Sequence, residues 1–147
     1  MMPVLNHNDL SIYVHWPFCL AKCPYCDFNS HVRENMQEAE MAAALLTEID
    51  HYASRIGRRD VKSIFFGGGT PSLMSASTVE AVLKQIENKF KFSNDIEITL
   101  EANPTSVEAA KFKDFSAAGV NRVSIGIQSL NNQDLKPWVV NMTVMKR

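Results

Sequence analysis

The sequence predicts an α/β fold of about four parallel βα units with helices outside, arranged as part of a barrel. Three observations carry this. Strand-like and helix-like segments alternate in the order βαβαβαβ, and strands joined through helices run parallel. The helical segments repeat apolar residues three and four apart, so each buries one stripe. The strand segments alternate apolar and polar residues, so only one sheet face lies under the helices. A flat sheet covered on both sides would be apolar on both. A polar second face instead fits a barrel or partial barrel around a site at the C-terminal strand ends.

The elements follow in order. Residues 11–16 read as a strand with Ile12 and Val14 on one face and Tyr13 and His15 on the other. A cysteine-bearing loop comes next. Residues 34–56 read as a helix through Ala42, Leu45, Ile49, Tyr52 and Ile56, stopped by Gly57. Residues 61–66 form a second strand running into Gly67, Gly68, Gly69, Thr70 and Pro71. Ser77 and Glu80 have the spacing of a capping box, before a stripe of Val79, Leu83, Ile86 and Phe90. Residues 96–101 form the third strand, with Ile96, Ile98 and Leu100 opposite Glu97, Thr99 and Glu101. Thr105 and Glu108 suggest another capping box, for a helix ending near Gly119. Residues 121–128 form the fourth strand, with Val123, Ile125 and Ile127 opposite Ser124, Gly126 and Gln128.

With 147 residues the chain is long enough for one domain with a core. A formal net charge of −1 gives no global field toward nucleic acid or an anionic membrane. Arg55, Arg58 and Arg59 cluster at a helix end, where a solvated cap is the better reading than a phosphate patch. No apolar run has transmembrane length, and residues 1–10 lack the order of a signal peptide. The expected compartment is the cytoplasm. The sequence does not specify an oligomeric state.

All three cysteines fall in H-W-P-F-C-L-A-K-C-P-Y-C-D-F-N, at Cys19, Cys23 and Cys26. An odd count argues against a disulfide framework. Inert buried thiols are one reading, though three in one loop is dense for it. Zinc is a second, with His15 or His31 as fourth ligand, but there is no second cysteine pair. A [4Fe–4S] cluster on three thiolates is the third; it leaves one iron with an open position. The three glycines before Pro71 read either as a tight turn or as backbone left open to a close-lying ligand. His15 is expected to orient the loop rather than to bind metal.

C-x-x-x-C-x-x-C after a first strand resembles the signature of the radical S-adenosylmethionine (radical SAM) superfamily. The blocks Y-V-H-W-P-F-C-L-A-K-C-P-Y-C-D-F-N-S-H, F-F-G-G-G-T-P-S-L, L-E-A-N-P and V-N-R-V-S-I-G-I-Q-S-L resemble its oxygen-independent coproporphyrinogen III oxidase-like group. The resemblance implies the N-terminal half of a radical SAM partial TIM barrel. It implies a [4Fe–4S] cluster on Cys19, Cys23 and Cys26, whose open iron chelates S-adenosylmethionine for cleavage to a radical. It places Tyr13, Tyr25, Gly67, Gly68, Gly69, Thr70, Glu101 and Gln128 against S-adenosylmethionine. It also implies an electron donor of the flavodoxin or ferredoxin type.

Two branches of the group differ after the third cysteine. The oxidases carry a further cysteine two residues on, where this chain has Phe28. That pattern resembles the haem chaperone branch (HemW family), implying haem as cargo and a membrane-associated respiratory enzyme as acceptor. The alternative is oxidative decarboxylation of coproporphyrinogen III. The family leads one to expect about six βα units, so residues 1–136 are expected to be an incomplete core. Residues 137–147, after Lys136, fit no pattern of the family. A one-base shift at the Lys136 codon would account for them, with Val140 standing where the family has a cofactor-contacting arginine; a native extra strand is the other reading. Sequencing the gene decides between them.

Overall fold

The computed structural model describes residues 8–33, 37–104 and 106–135. It contains strands β1 (Asp9–Trp16), β2 (Phe18–Cys19) and β3 (His31–Val32), then helix α1 (Glu38–Ile56) and strand β4 (Asp60–Gly68). A 3-10 turn (Pro71–Leu73) leads into α2 (Ala76–Lys89), followed by β5 (Lys91–Ala102), α3 (Ser106–Ala117), β6 (Arg122–Ile125) and α4 (Asn132–Leu135). The residues 137–147, the capping residue Thr105 and the first residues expected of the long helix, 34–36, lie outside the described residues.

The main sheet has the order β1-β4-β5-β6 and is parallel throughout. Tyr13 pairs with Phe65, Phe65 with Thr99, and Thr99 with Arg122, so these residues form one row across the sheet. The alternation expected of β1 is present: Val14 and Trp16 are buried under the helices, whereas Tyr13 is 57% exposed on the other face. The same register aligns Ile64 with Ile98 and Phe66 with Leu100, and all four are buried. The stripe of α2 closes the core over them, with Val79, Val82, Leu83, Ile86 and Phe90 buried.

Several boundaries differ from expectation. β4 continues through Gly67 and Gly68, and β5 begins at Lys91. β6 stops at Ile125, because its partner β5 ends at Ala102, the residue opposite; Gln128 therefore lies beyond the strand. The cap of α2 is Ser75, not Ser77, and its hydroxyl accepts from the Thr78 N–H at 3.2 Å. Glu80 instead pairs with Lys84 one turn on. At the end of α1, Gly57 has φ +68 as a stop residue, and Arg59 donates to the Ile56 carbonyl at 3.1 Å, as a cap should.

Glu38 explains why Ser75 is chosen. Its carboxylate accepts from the Ser75 N–H (2.8 Å), the Ser75 hydroxyl (2.7 Å) and the Thr78 hydroxyl (2.6 Å), tying the first turn of α1 to the start of α2. Burial pushes this carboxyl up, but these hydrogen bonds and the Lys111 charge outweigh it and hold the pKa below the ordinary glutamate value. A lowered carboxylate pKa adds stability above the unfolded value, and that stability is lost as pH falls through the folded value. We expect Glu38→Gln to cost about 1–2 kcal/mol in urea unfolding at neutral pH, with the gap closing in acid. An equal difference from wild type at both pH values would refute this.

Candidate functional site

Pro17 lets the chain leave β1 without asking for a ladder N–H. Two sets of hydrogen bonds then clamp the next residues. On one side, the Gly69 N–H reaches the Trp16 carbonyl at 2.6 Å and the Thr70 N–H reaches the Phe18 carbonyl at 2.9 Å. On the other, the His31 N–H reaches Pro17 at 2.7 Å and the Arg33 N–H reaches Cys19 at 3.1 Å. Cys19 is thus held between the end of β4 and the short strand β3.

The loop between β2 and β3 carries the other two cysteines. A turn places the Cys26 N–H 3.0 Å from the Cys23 carbonyl. Lys22 folds back to donate to the Phe28 carbonyl and the Ser30 hydroxyl, both at 2.9 Å. His15 orients the loop as expected, with Nε2 3.1 Å from the Asn29 carbonyl. A carbonyl only accepts, so Nε2 carries a proton toward Asn29, and Nδ1 lies 3.3 Å from the Tyr13 hydroxyl.

All three cysteines open onto one cavity of about 280 Å³. Its walls come from the C-terminal ends of all four main strands: the cysteine loop after β1, Gly69 and Thr70 after β4, Glu101 at the end of β5, and Ser124 and Gln128 at and beyond β6. Tyr25 and Phe28 also line it. Burial, then the hydrogen-bonded Cys23 sulfur and the Cys26 charge, raises the Tyr25 phenol above its usual value. Glu101 faces inward, with Oε2 3.4 Å from the Gly68 N–H. Tyr13 sits on the same sheet face, where burial of its hydroxyl and then the Glu101 charge raise its pKa. Tyr13, Gly67 and Gly68 do not line the cavity itself.

The glycine segment differs from expectation. Its donors are not left open: the N–H groups of Gly68, Gly69 and Thr70 are taken by Glu101, Trp16 and Phe18. Nor is it simply a turn. A Cβ on Gly69 would lie 2.6 Å from the Phe18 carbonyl oxygen, and one on Gly68 would lie 2.6 Å from the His15 ring. The glycines let the cysteine loop pack directly on β4, so any ligand contact from them runs through carbonyls or Cα atoms. Lys22, Ser30 and Ser124 were not evident as site residues. Their signal is tertiary, since each matters only once the loop has closed onto the strand ends.

The donor set fits an iron–sulfur cluster better than zinc. Among the described residues, no three Cys, His, Asp or Glu side chains converge on a point where one metal ion could sit. A cubane cluster does not ask for that, because each thiolate binds a different iron. The cysteines are free, and Cys19 already receives the Thr70 hydroxyl at 3.5 Å.

Comparison with known proteins agrees. The model of the Radical SAM superfamily matches residues 13–146. The chain is 46% identical over 132 residues to the heme chaperone HemW of Haemophilus influenzae, covering 86% of this chain and 34% of that protein. It is 46% identical over 134 residues to the mitochondrial radical S-adenosyl methionine domain-containing protein 1 of Bos taurus, covering 91% and 30%. Among solved structures it resembles the coproporphyrinogen III oxidase HemN of Escherichia coli, described as a radical SAM enzyme, with a TM-score of 0.78, 33% identity, and coverage of 88% and 30%. The chain spans about a third of the length of the curated relatives it matches. Cysteine spacing, strand-end cavity and family match together place the chain in the Radical SAM superfamily, whose general cofactors are a [4Fe–4S] cluster and S-adenosylmethionine.

Proposed function

We propose that this chain is the cluster- and S-adenosylmethionine-binding portion of a haem chaperone of the HemW type. The observation that carries the reading is Phe28. It lines the cysteine cavity at the position where the oxidase branch has a further cysteine. The identity to a heme chaperone, 46%, against 33% to the oxidase, supports it.

In this reading Cys19, Cys23 and Cys26 hold the cluster, and Tyr25, Gly69, Thr70, Glu101 and Gln128 of the cavity wall face S-adenosylmethionine, with Tyr13, Gly67 and Gly68 in the adjoining strands β1 and β4. The bound pair supplies one-electron chemistry. Lys22 and His15 keep the loop closed through their bonds to Phe28, Ser30 and Asn29. Haem is the cargo, a flavodoxin- or ferredoxin-type protein is the electron donor, and a membrane-associated respiratory enzyme is the acceptor. Three free thiols suit the reducing cytoplasm. Among the described residues no helix is long and apolar enough to cross a membrane.

The second reading, oxygen-independent coproporphyrinogen III oxidase, is favoured by the fold match to HemN. An anaerobic assay of porphyrinogen product against haem binding separates the two. The reconstituted chain, given S-adenosylmethionine, a reductant and coproporphyrinogen III, is expected to form no protoporphyrinogen. S-adenosylmethionine alone is expected to perturb the electron paramagnetic resonance (EPR) spectrum of the reduced cluster. Multiple turnover of the porphyrinogen would move the assignment to the oxidase.

A further inference from the structure

Thr70 lies at the end of β4, as the N-cap residue of the 3-10 turn that begins at Pro71. A threonine in that position ordinarily turns its hydroxyl onto the free N–H groups of the following turn. Here it makes no such bond. The turn is closed by main-chain bonds from the Leu73 N–H to the Thr70 carbonyl and from the Met74 N–H to the Pro71 carbonyl, both at 3.0 Å. The hydroxyl points the other way, to the Cys19 sulfur at 3.5 Å. Both residues are buried, at 9% and 8% exposure. The backbone of Thr70 is fixed independently by its N–H bond to Phe18, so the hydroxyl is held at the sulfur without having to position the loop.

We propose that Thr70 is a positioning residue that sets the reduction potential of the cluster, by donating its hydroxyl hydrogen to the Cys19 thiolate. The proposal rests on the assignment of Cys19 as a cluster ligand. A thiolate can only accept, so the hydroxyl must donate. Added negative charge on the reduced cluster strengthens that bond, which therefore favours the reduced state and raises the potential. Burial excludes competing water and keeps the local dielectric low, which enlarges the effect. Tyr25 stands beside Cys23 in a comparable relation but is 40% exposed, so water shares its hydroxyl. Among the described residues, the Thr70–Cys19 pair is a buried hydroxyl–sulfur contact through which the protein can favour or disfavour an electron on the cluster.

The test is an EPR-monitored redox titration of the anaerobically reconstituted chain as wild type, Thr70→Val and Thr70→Ser. Valine keeps the shape and removes the donor; serine keeps the donor. Thr70→Val is expected to bind the same iron and to titrate at a more negative midpoint, with Thr70→Ser close to wild type. Equal midpoints for valine and wild type would overturn the proposal. Loss of the cluster from Thr70→Val, with Thr70→Ser loaded normally, would also overturn it, since the hydroxyl would then hold the ligand rather than tune it. A wild-type chain that takes up no iron and sulfide refutes the cluster assignment itself, so the two failures are read from different samples.

Discussion

Replacing any one of Cys19, Cys23 or Cys26 with alanine is expected to abolish the brown colour of the reconstituted protein. Iron should fall from about four per chain to background. The loss should be total because the sequence has no fourth cysteine to take the vacant place. Phe28 occupies the neighbouring wall, and His15 is committed to the Asn29 carbonyl. Two thiolates cannot retain a cluster that already has one open iron. The measurement is iron and sulfide content with absorbance after anaerobic desalting. Any single alanine variant that keeps wild-type iron would remove that cysteine from the ligand set. Tight binding of one zinc by wild type, without iron–sulfur absorbance, would remove the cluster.

The second large effect is expected at Gly69. Alanine there places Cβ 2.6 Å from the Phe18 oxygen and 2.9 Å from the carbonyl carbons of Pro17 and Phe18. These are main-chain atoms and cannot swing aside. To make room, the bonds from Gly69 to Trp16 and from Thr70 to Phe18 must lengthen, and they are what dock the cysteine loop on β4. We expect Gly69→Ala to lose about 3 kcal/mol of stability and most of its cluster. Gly126→Ala is the control. Its Cβ would meet nothing nearer than the Gln128 amide at 3.7 Å, and a change within about 0.5 kcal/mol is expected. Thermal unfolding of both variants, with cluster content, decides it. Equal melting of the two would mean that the close approach at Gly69 does not matter.

Much of this molecule was legible because simple periods govern it. The two-residue alternation of β1 and the three-and-four spacing of α2 each translate directly into a buried face. The three cysteines were legible because spacing alone confines them to one loop. What escaped depends on partners far away in sequence. Ser75, Ser77 and Thr78 are all reasonable caps, and only Glu38, some forty residues earlier, selects Ser75. Gly67 and Gly68 read locally as a turn or open backbone after the strand, yet the rings of Tyr13 and His15 lie close against them and they remain in β4. Gln128 was placed on a strand that ends three residues earlier, for want of a partner beyond Ala102.

The clamp around residues 16–19 makes the three proposed cluster ligands unequal. Cys19 is 8% exposed, with its carbonyl bonded to Arg33 and its sulfur to Thr70, whereas Cys23 and Cys26 sit in the loop and are less buried. One ligand is therefore built into the scaffold before any iron arrives. The ordering entropy of cluster capture falls on the other two. Under the proposed assignment, such a site is expected to load in sequence, with Cys19 as an anchor already in place and the Cys23–Cys26 loop as a clasp. Substitutions at Lys22 or Ser30, which bind no iron, would then change how long the cluster stays rather than whether it can form.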